Sequence, residues 1–240
     1  MRAIILVAGK GSRIGGISDK PKCLLEIVGT SILENALTCL SKEGFQEVVL
    51  VVGYRAKLVR QFGDNFRKMK LIYINNPDYK ATNTMYSLYL ARQYLYQGFV
   101  FLNGDIFFER RVLQRLLKGA EDCWAAENFK DFDGAMLTAA DTARITQVEI
   151  IHEISTFPGR YKSAGMIKIS PELGTKLASW LSEDVEKGYT HIYHDLVLAR
   201  RLDKNPIYIC NVSGLKWVEI DTEEDYRRAQ AIFSENRGLC

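Results

Sequence analysis

A glycine-rich turn follows the first apolar run of the chain. Residues 3–8 lead into Gly9, Gly11 and Gly15, with Lys10, Ser12 and Arg13 between them, in the stretch LVAGKGSRIGG. Such a turn offers unpaired backbone N–H groups and cations, the ingredients of a phosphate cradle. Three chemistries share it: dinucleotide binding, hydrolysis of a nucleoside triphosphate, and transfer of part of one. The third glycine misses the G-x-G-x-x-G register, and no acid is well placed at the end of the second strand, so the dinucleotide reading loses. No G-K-[S/T] follows, which disfavours a hydrolytic P-loop. What remains is a loop whose amides, at Gly9, Gly11 and Ser12, can wrap phosphates, with Arg13 on it and Lys22 just after it in SDKPK. The plainer reading of the two cations is a pair of solvated surface charges, which leaves the glycines unexplained.

To act, this loop must meet other chemical groups, and the pattern of elements supplies them. Short β-branched runs alternate with helical patterns in the first half, the signature of a parallel sheet covered on both faces. Strands are expected at 3–8, 47–53 (EVVLVVG), 70–75 (KLIYIN) and 99–105 (FVFLNGD). A helix follows Ser31, whose spacing to Glu34 is that of a capping box, with Leu33, Ala36, Leu37 and Leu40 on one face and Gly44 as its stop. Further helices are expected at 55–68 and 84–96. This layout puts the glycine loop and Asp105 at the carboxyl ends of strands, where open parallel sheets build their ligand crevice.

The second half is less regular. Strands are expected near 123–128, 135–138, 147–151, 165–169, 207–211 and 217–220, with helices near 171–187 and 191–202 and a closing helix from 222. The fold class is α/β: a doubly wound, mostly parallel Rossmann-like sheet with a mixed α/β extension. No repeat or linker divides residues 1–240, so a single domain is expected.

Composition bounds the partners. A net charge of +3, from 32 Lys and Arg against 29 Asp and Glu, is too small to imply nucleic acid or a membrane surface. Cys23, Cys39, Cys123, Cys210 and Cys240 show no metal-ligand spacing and are read as reduced thiols of a cytoplasmic protein. The first apolar run is too short for a signal-peptide core, and no run approaches the ~18 residues of a membrane span. His152, His191 and His194 include no zinc spacing.

Separated motifs, in order along the chain, now carry a resemblance. LVAGKGSR with DKPKCLLEIVG resembles the signature loop of nucleotidyltransferases that make activated sugars and alcohols. NPDYKATNTMYSLYLAR, FLNGD and WVEIDTEEDYRRA are similar to the branch of bacterial choline-phosphate cytidylyltransferases and their phosphonate and polyol-phosphate relatives. The resemblance implies a fold of the nucleotide-diphospho-sugar transferase type, with residues 1–120 mainly nucleotide-binding and 121–240 mainly holding acceptor and metal. It implies a CTP-dependent cytidylyltransferase that joins CMP to a small phosphorylated or phosphonate alcohol and releases pyrophosphate. The rivals are a sugar-1-phosphate nucleotidyltransferase using UTP, GTP or dTTP, and a regulatory protein that binds nucleotide without turnover. A homodimer stays open.

Residue by residue, the resemblance gives Lys22 the α-phosphate and the attacking oxygen, and Arg13 the β- and γ-phosphates. Asp105, after Asn103 and Gly104 of the nucleotide site, and Asp221 become the two acids holding Mg²⁺, with Glu219 as a further ligand. Their plainer roles are turn or helix-cap residues. Base recognition falls to backbone groups of Leu6, Ala8 and Gly9 and to Asn83 or Thr84, a segment also suited to capping a helix. The acceptor is assigned to Tyr189, Tyr193, His194, Asp195 and Trp217, since aromatics with a carboxylate suit an ammonium group; the competing reading is that these aromatics are core. Choline-specific members of the branch carry tryptophan near 133–137, where this chain reads DGAML. The departure counts against a full choline cage for phosphocholine, and 2-aminoethylphosphonate, hydroxyethylphosphonate, a polyol phosphate or a sugar 1-phosphate stays open as acceptor.

Overall fold

The computed structural model describes residues 1–14, 19–128, 131–156 and 160–234; of residues 131–133 and 152–156 only the backbone is described. Gly15, Cys240 and the side chains of His152 and Asp133 thus lie outside the described residues.

The first half forms as expected. β1 (Arg2–Val7), β4 (Glu47–Val52), β5 (Lys70–Asn75) and β6 (Phe99–Asn103) run parallel in the order β6-β1-β4-β5; the two-residue strands β2 (Glu26–Ile27) and β3 (Thr30–Ser31) form a small separate ladder. β1 is buried on both faces, which is why its sequence reads as an unbroken apolar run. Ala3, Ile5 and Val7 face one core with α1 (Ile32–Lys42), and Ile4 and Leu6 face another with α3 (Thr84–Leu90) and α5 (Pro171–Glu186). Ser31 caps α1 by accepting from the Glu34 amide at 3.1 Å, and Gly44, at φ +83°, ends it. α2 (Ala56–Asn65) covers β4 and β5.

Several boundaries move. β6 stops at Asn103, and β7 (Ile106–Phe108) and α4 (Arg110–Lys118) have no counterpart among the expected elements. α4 is so cationic, RRVLQRLLK, that only Val112, Leu113 and Leu116 mark its buried face. The helix expected over 84–96 ends at Leu90 and tightens into a 3-10 turn at Arg92–Tyr94. The helix expected over 191–202 shrinks to α6 (His194–Ala199), because the segment before it is tied to the start of α3 instead: the Asn83 amide donates to Thr190 O and the Met85 amide to Ile192 O.

The second half widens the sheet. β8 (Cys123–Asn128), β9 (Asp131–Ala139), β10 (Ile145–Thr156) and β11 (Arg160–Ile169) are mostly antiparallel and longer than their apolar cores suggest, while β12 (Tyr208–Asn211) runs parallel to β8. β11 holds β8 along one edge throughout; on its other edge, 166–169 pair with β6 and 160–162 pair with β9. The change of partner falls at a bulge between Ser163 and Met166, where Gly165 has φ +64°. A Cβ there would meet Ile106 Cδ1 at 2.2 Å, so the bulge needs glycine. Beyond the end of β6 the sheet therefore splits.

A third core, with Phe107, Val218, Ala229 and Phe233, seats α7 (Glu223–Ser234) against β7 and β13 (Trp217–Glu219) and buries Ile14 of the glycine loop. Cys23, Cys123 and Cys210 are free thiols, as read; Cys39 is not, being disulfide-bonded. Among the described residues no helix is long and apolar enough to cross a membrane.

Candidate active site

Local backbone rules bring four charges together where the sheet splits. Gly104 turns β6 into β7 with its backbone flat against β1; an added Cβ would stand 2.3 Å from Leu6 O and 2.5 Å from Val7 Cγ1. That turn holds Asp105. The β7–β13 ladder pairs Glu219 with Ile106, and the Ile220 amide donates to Asp105 O at 2.9 Å, so Asp221 emerges beside Asp105. Capping of α7 falls to other residues: Asp225 accepts from the Thr222 amide at 2.9 Å, and the Thr222 hydroxyl accepts from the Asp225 amide at 3.2 Å. The Asp221 carboxylate is thereby left for the site.

Lys22 fills the space between the acids. Its Nζ lies 2.7 Å from Asp105 Oδ2 and 2.7 Å from Asp221 Oδ1, and its side chain is 13% exposed. Arg13, 62% exposed, reaches Asp221 Oδ2 at 3.0 Å. Gly11, at φ +65°, has its Cβ position 3.0 Å from the Lys22 Cβ, so the loop lies along the lysine stem. The solvated-charge reading of Lys22 is excluded by this burial. Asp105 Oδ1 is buried and has no hydrogen-bond partner among the described residues.

The electrostatics follow from burial and pairing. Burial alone would lower the Lys22 ammonium, but Asp105 and Asp221 hold it well above the usual lysine range. Asp221 is likewise opposed by burial, yet Lys22, with Arg13 and Lys162, keeps it below the usual carboxylate range. Glu219 is pushed up to about 8, first by burial and then by repulsion from Asp105, despite Lys162 at 3.6 Å. Among the described residues no cluster of three or more metal-ligating side chains forms, so Glu219 does not complete a three-acid cage.

Two cavities meet at these charges. A cleft of about 370 Å³ is lined by Gly9, Gly11, Ser12, Arg13, Lys22, Asn83, Thr84, Gly104, Asp105 and Asp221. A second cavity, about 180 Å³, occupies the split and is lined by Asn103, Gly134, Ala135, Ile150, Ile151, Ser163, His194, Asp195 and Glu219. Arg13, Thr84, Gly104, Asp105, Tyr193 and Asp221 border both.

Four residues singled out from sequence border neither. Leu6 is buried under Gly104, and Ala8 O accepts from the Tyr54 amide at 2.9 Å. Tyr189 is 47% exposed, with Arg200 over its ring at 5.3 Å. The Trp217 indole donates to Glu127 Oε2 at 2.8 Å. Asn83 and Thr84 do double duty: Asn83 caps α3 by accepting from the Thr84 amide at 2.7 Å, and Thr84 Oγ1 accepts from the His194 amide at 3.0 Å. His194 is buried against Phe101, with ring centroids 4.2 Å apart, and burial lowers its pKa. Missing from the sequence reading were Ile150, Ile151, Ser163 and Lys162, whereas Gly134 and Ala135 fall in the 133–137 segment that the resemblance had pointed to. Ser163 is held by accepting from Trp124 Nε1 at 2.8 Å and from the Gly165 amide at 2.9 Å, and nothing local in the sequence marks that role.

A glycine-rich loop at the carboxyl edge of a parallel sheet, paired acids with a buried lysine, and a second cavity alongside fit an α/β group-transfer enzyme with room for a nucleotide and a second ligand. Residues 3–129 match the model of the MobA-like NTP transferase domain, and the chain belongs to that nucleotidyltransferase family. It is 33% identical over 247 residues to the CMP-5'-(3-aminopropyl)phosphonate synthase of Streptomyces rubellomurinus, matching 99% of this chain but spanning only 39% of that relative's length. It is 25% identical to the choline-phosphate cytidylyltransferase of Streptococcus pneumoniae, over 97% of this chain and 98% of that one. The solved structure of the Streptococcus pneumoniae CTP:phosphocholine cytidylyltransferase shares the fold, with a TM-score of 0.82 at 19% identity over 96% of this chain and 98% of the other.

Proposed function

We propose that the chain is a Mg²⁺-dependent cytidylyltransferase that transfers CMP from CTP to a small phosphorylated or phosphonate alcohol, releasing pyrophosphate. The observation that carries this reading is the placement of Lys22, Asp105 and Asp221 at the junction of two cavities, one walled by the glycine loop and one by the split sheet. The names of the relatives favour CTP and a phosphate or phosphonate acceptor.

In this reading CTP lies in the larger cleft, with its phosphates against Gly9, Gly11, Ser12 and Arg13. Asn83 borders the base and Gly104 closes the floor, while Asn103 lies on the side of the smaller cavity. The acceptor lies in the smaller cavity with Tyr193, His194 and Asp195. Residues 1–120 thus carry mainly the nucleotide and 121–240 mainly the acceptor and Asp221, within one domain. The second pKa of a phosphate monoester is near ~6, so the attacking oxygen is already anionic at neutral pH and no general base is required. The protein's task is to hold two repelling anions in line and to offset charge as it develops. Lys22, bordering the α-phosphate position, and Arg13, further out and solvated, perform it.

The residues present fit Mg²⁺. Asp105 and Asp221 offer hard carboxylate oxygens, one of them, Asp105 Oδ1, without any other partner among the described residues, and Mg²⁺ takes one or two carboxylates plus substrate phosphates. When bound it would offset triphosphate charge. The test is pyrophosphate release measured with CTP, UTP, GTP and dTTP against phosphocholine, 2-aminoethylphosphonate, hydroxyethylphosphonate and polyol phosphates. Release with CTP and one of these is expected; none with CTP under any acceptor overturns the reading.

A further inference from the structure

The charges at the junction balance in a way that implies an order of events. Lys22 and Arg13 contribute two positive charges, and Asp105 and Asp221 two negative ones, all within direct contact. Both cations also border the cleft that the glycine loop walls, so an anion wrapped by that loop competes with the acids for the same two side chains. An incoming triphosphate that takes Lys22 and Arg13 strips the aspartates of two compensating charges at once. Two adjacent bare carboxylates repel, and a single divalent cation restores the balance. Conversely, while Lys22 Nζ stands 2.7 Å from Asp105 Oδ2 and from Asp221 Oδ1, a cation bridging those two oxygens at the 2.0–2.1 Å that Mg²⁺ demands would lie against the ammonium.

We infer that Lys22 is a stand-in for the divalent cation: in the nucleotide-free protein its ammonium holds the seat between Asp105 and Asp221, and the seat opens to a metal only when a triphosphate draws the lysine away. The glycine loop is built for the exchange. Gly11, with no side chain, lets the Lys22 stem lie alongside the phosphate-binding amides, so the ammonium passes between acids and phosphates by rotation of its own side chain. The device prevents a divalent cation from occupying the site without nucleotide. It rests on the reading of Asp105 and Asp221 as the metal-holding acids.

The experiment measures metal binding rather than turnover. Purified, nucleotide-free protein is titrated with Mn²⁺ as a Mg²⁺ surrogate and free Mn²⁺ is read by electron paramagnetic resonance. Wild type is compared with Lys22→Met, with Lys22→Gln in case methionine disturbs packing, and with each combined with Asp105→Asn; circular dichroism checks the fold. If the lysine-seated form makes up nine-tenths or more of the population, the apparent affinity of wild type is reduced at least about tenfold. The neutral variants are therefore expected to bind one Mn²⁺ at least about tenfold more tightly than wild type, and adding Asp105→Asn is expected to abolish the gain. Wild type binding Mn²⁺ as tightly as the folded neutral variants, through Asp105, overturns the stand-in role and leaves the metal site standing. Absence of any Asp105-dependent Mn²⁺, both in the neutral variants and in wild type with CTP after subtraction of the CTP-only signal, overturns the metal site itself.

Discussion

The two cavities that meet at Asp105 are made in different ways. The larger is framed by the ends of regular parallel strands, and its side chains arrive through glycine turns whose positions leave no room for anything else: Gly104 on β1, Gly11 on the Lys22 stem. The smaller exists because a bulged strand, β11, exchanges one partner for another, and its walls come from β9, β10, α6 and β13. The largely exposed Arg13 borders both, and only the second is lined by the buried His194 and Asp195. The contrast is between a cavity shaped by tight local turns at the ends of parallel strands and one assembled from longer, irregular elements; under the proposed function the first takes the nucleotide and the second the acceptor.

The strongest test of the contrast removes the group at the junction. Lys22→Ala is expected to lower kcat/KM by about 10²–10³, the cost of losing one pre-positioned electrostatic stabiliser, as read by pyrophosphate release. If the lysine serves the transferred phosphoryl group, as proposed, the loss should fall on kcat with every acceptor alike. Activity near wild type would show that the junction is structural and that the two cavities do not share a reaction centre.

A smaller and more selective effect is expected on the other side. Asp195 is 6% exposed, lines only the smaller cavity, and stands 3.4 Å from His194 Nδ1. Asp195→Asn should raise the KM for the acceptor by about tenfold while leaving the KM for nucleotide within a factor of about two, since it removes binding made to one ligand alone. Equal effects on both would dissolve the division of labour between the cavities.

The same contrast governs what the sequence revealed. The nucleotide side was legible because its signals are local: an apolar strand, glycines at a fixed spacing, and an acid directly after a strand each require neighbours in sequence. β1, β4, β5 and β6 lie close to their expected positions, and Arg13, Lys22, Asp105 and Asp221 do converge. The acceptor side was partly hidden. Ile150, Ile151 and Ser163 face the cavity only because remote strands pair in a particular register with a bulge at Gly165, and a single glycine in an apolar run does not announce a split sheet. Tyr189 and Trp217 were suggested by aromatic chemistry, yet composition does not say which way a side chain points: one stacks under Arg200 and the other bonds Glu127. α4 escaped because its cations outnumber its buried residues.

The smallest effect separates the regions by pH. His194 belongs to the acceptor side, and burial, opposed only in part by Asp195 and Asp105, places its pKa below the ordinary 6.5. Phe101 and Thr84 pack against the same ring and carry no charge to offset this. In the unfolded chain the imidazole takes up its proton near 6.5, whereas the folded protein resists it to lower pH, so below 6.5 the unfolded state binds more protons. The stability that the neutral His194 contributes is therefore complete above pH 6.5 and is lost as the pH falls toward its folded value, by up to about 1.4 kcal/mol per pH unit. Urea unfolding at pH 7.5, 6.5 and 5.5 should show this slope in wild type and a shallower one in His194→Gln, the difference between the two proteins isolating this histidine from the others. Parallel slopes would mean that the ring takes up a proton as readily in the folded protein as in the unfolded chain, and that the acceptor wall is wetter than its burial indicates.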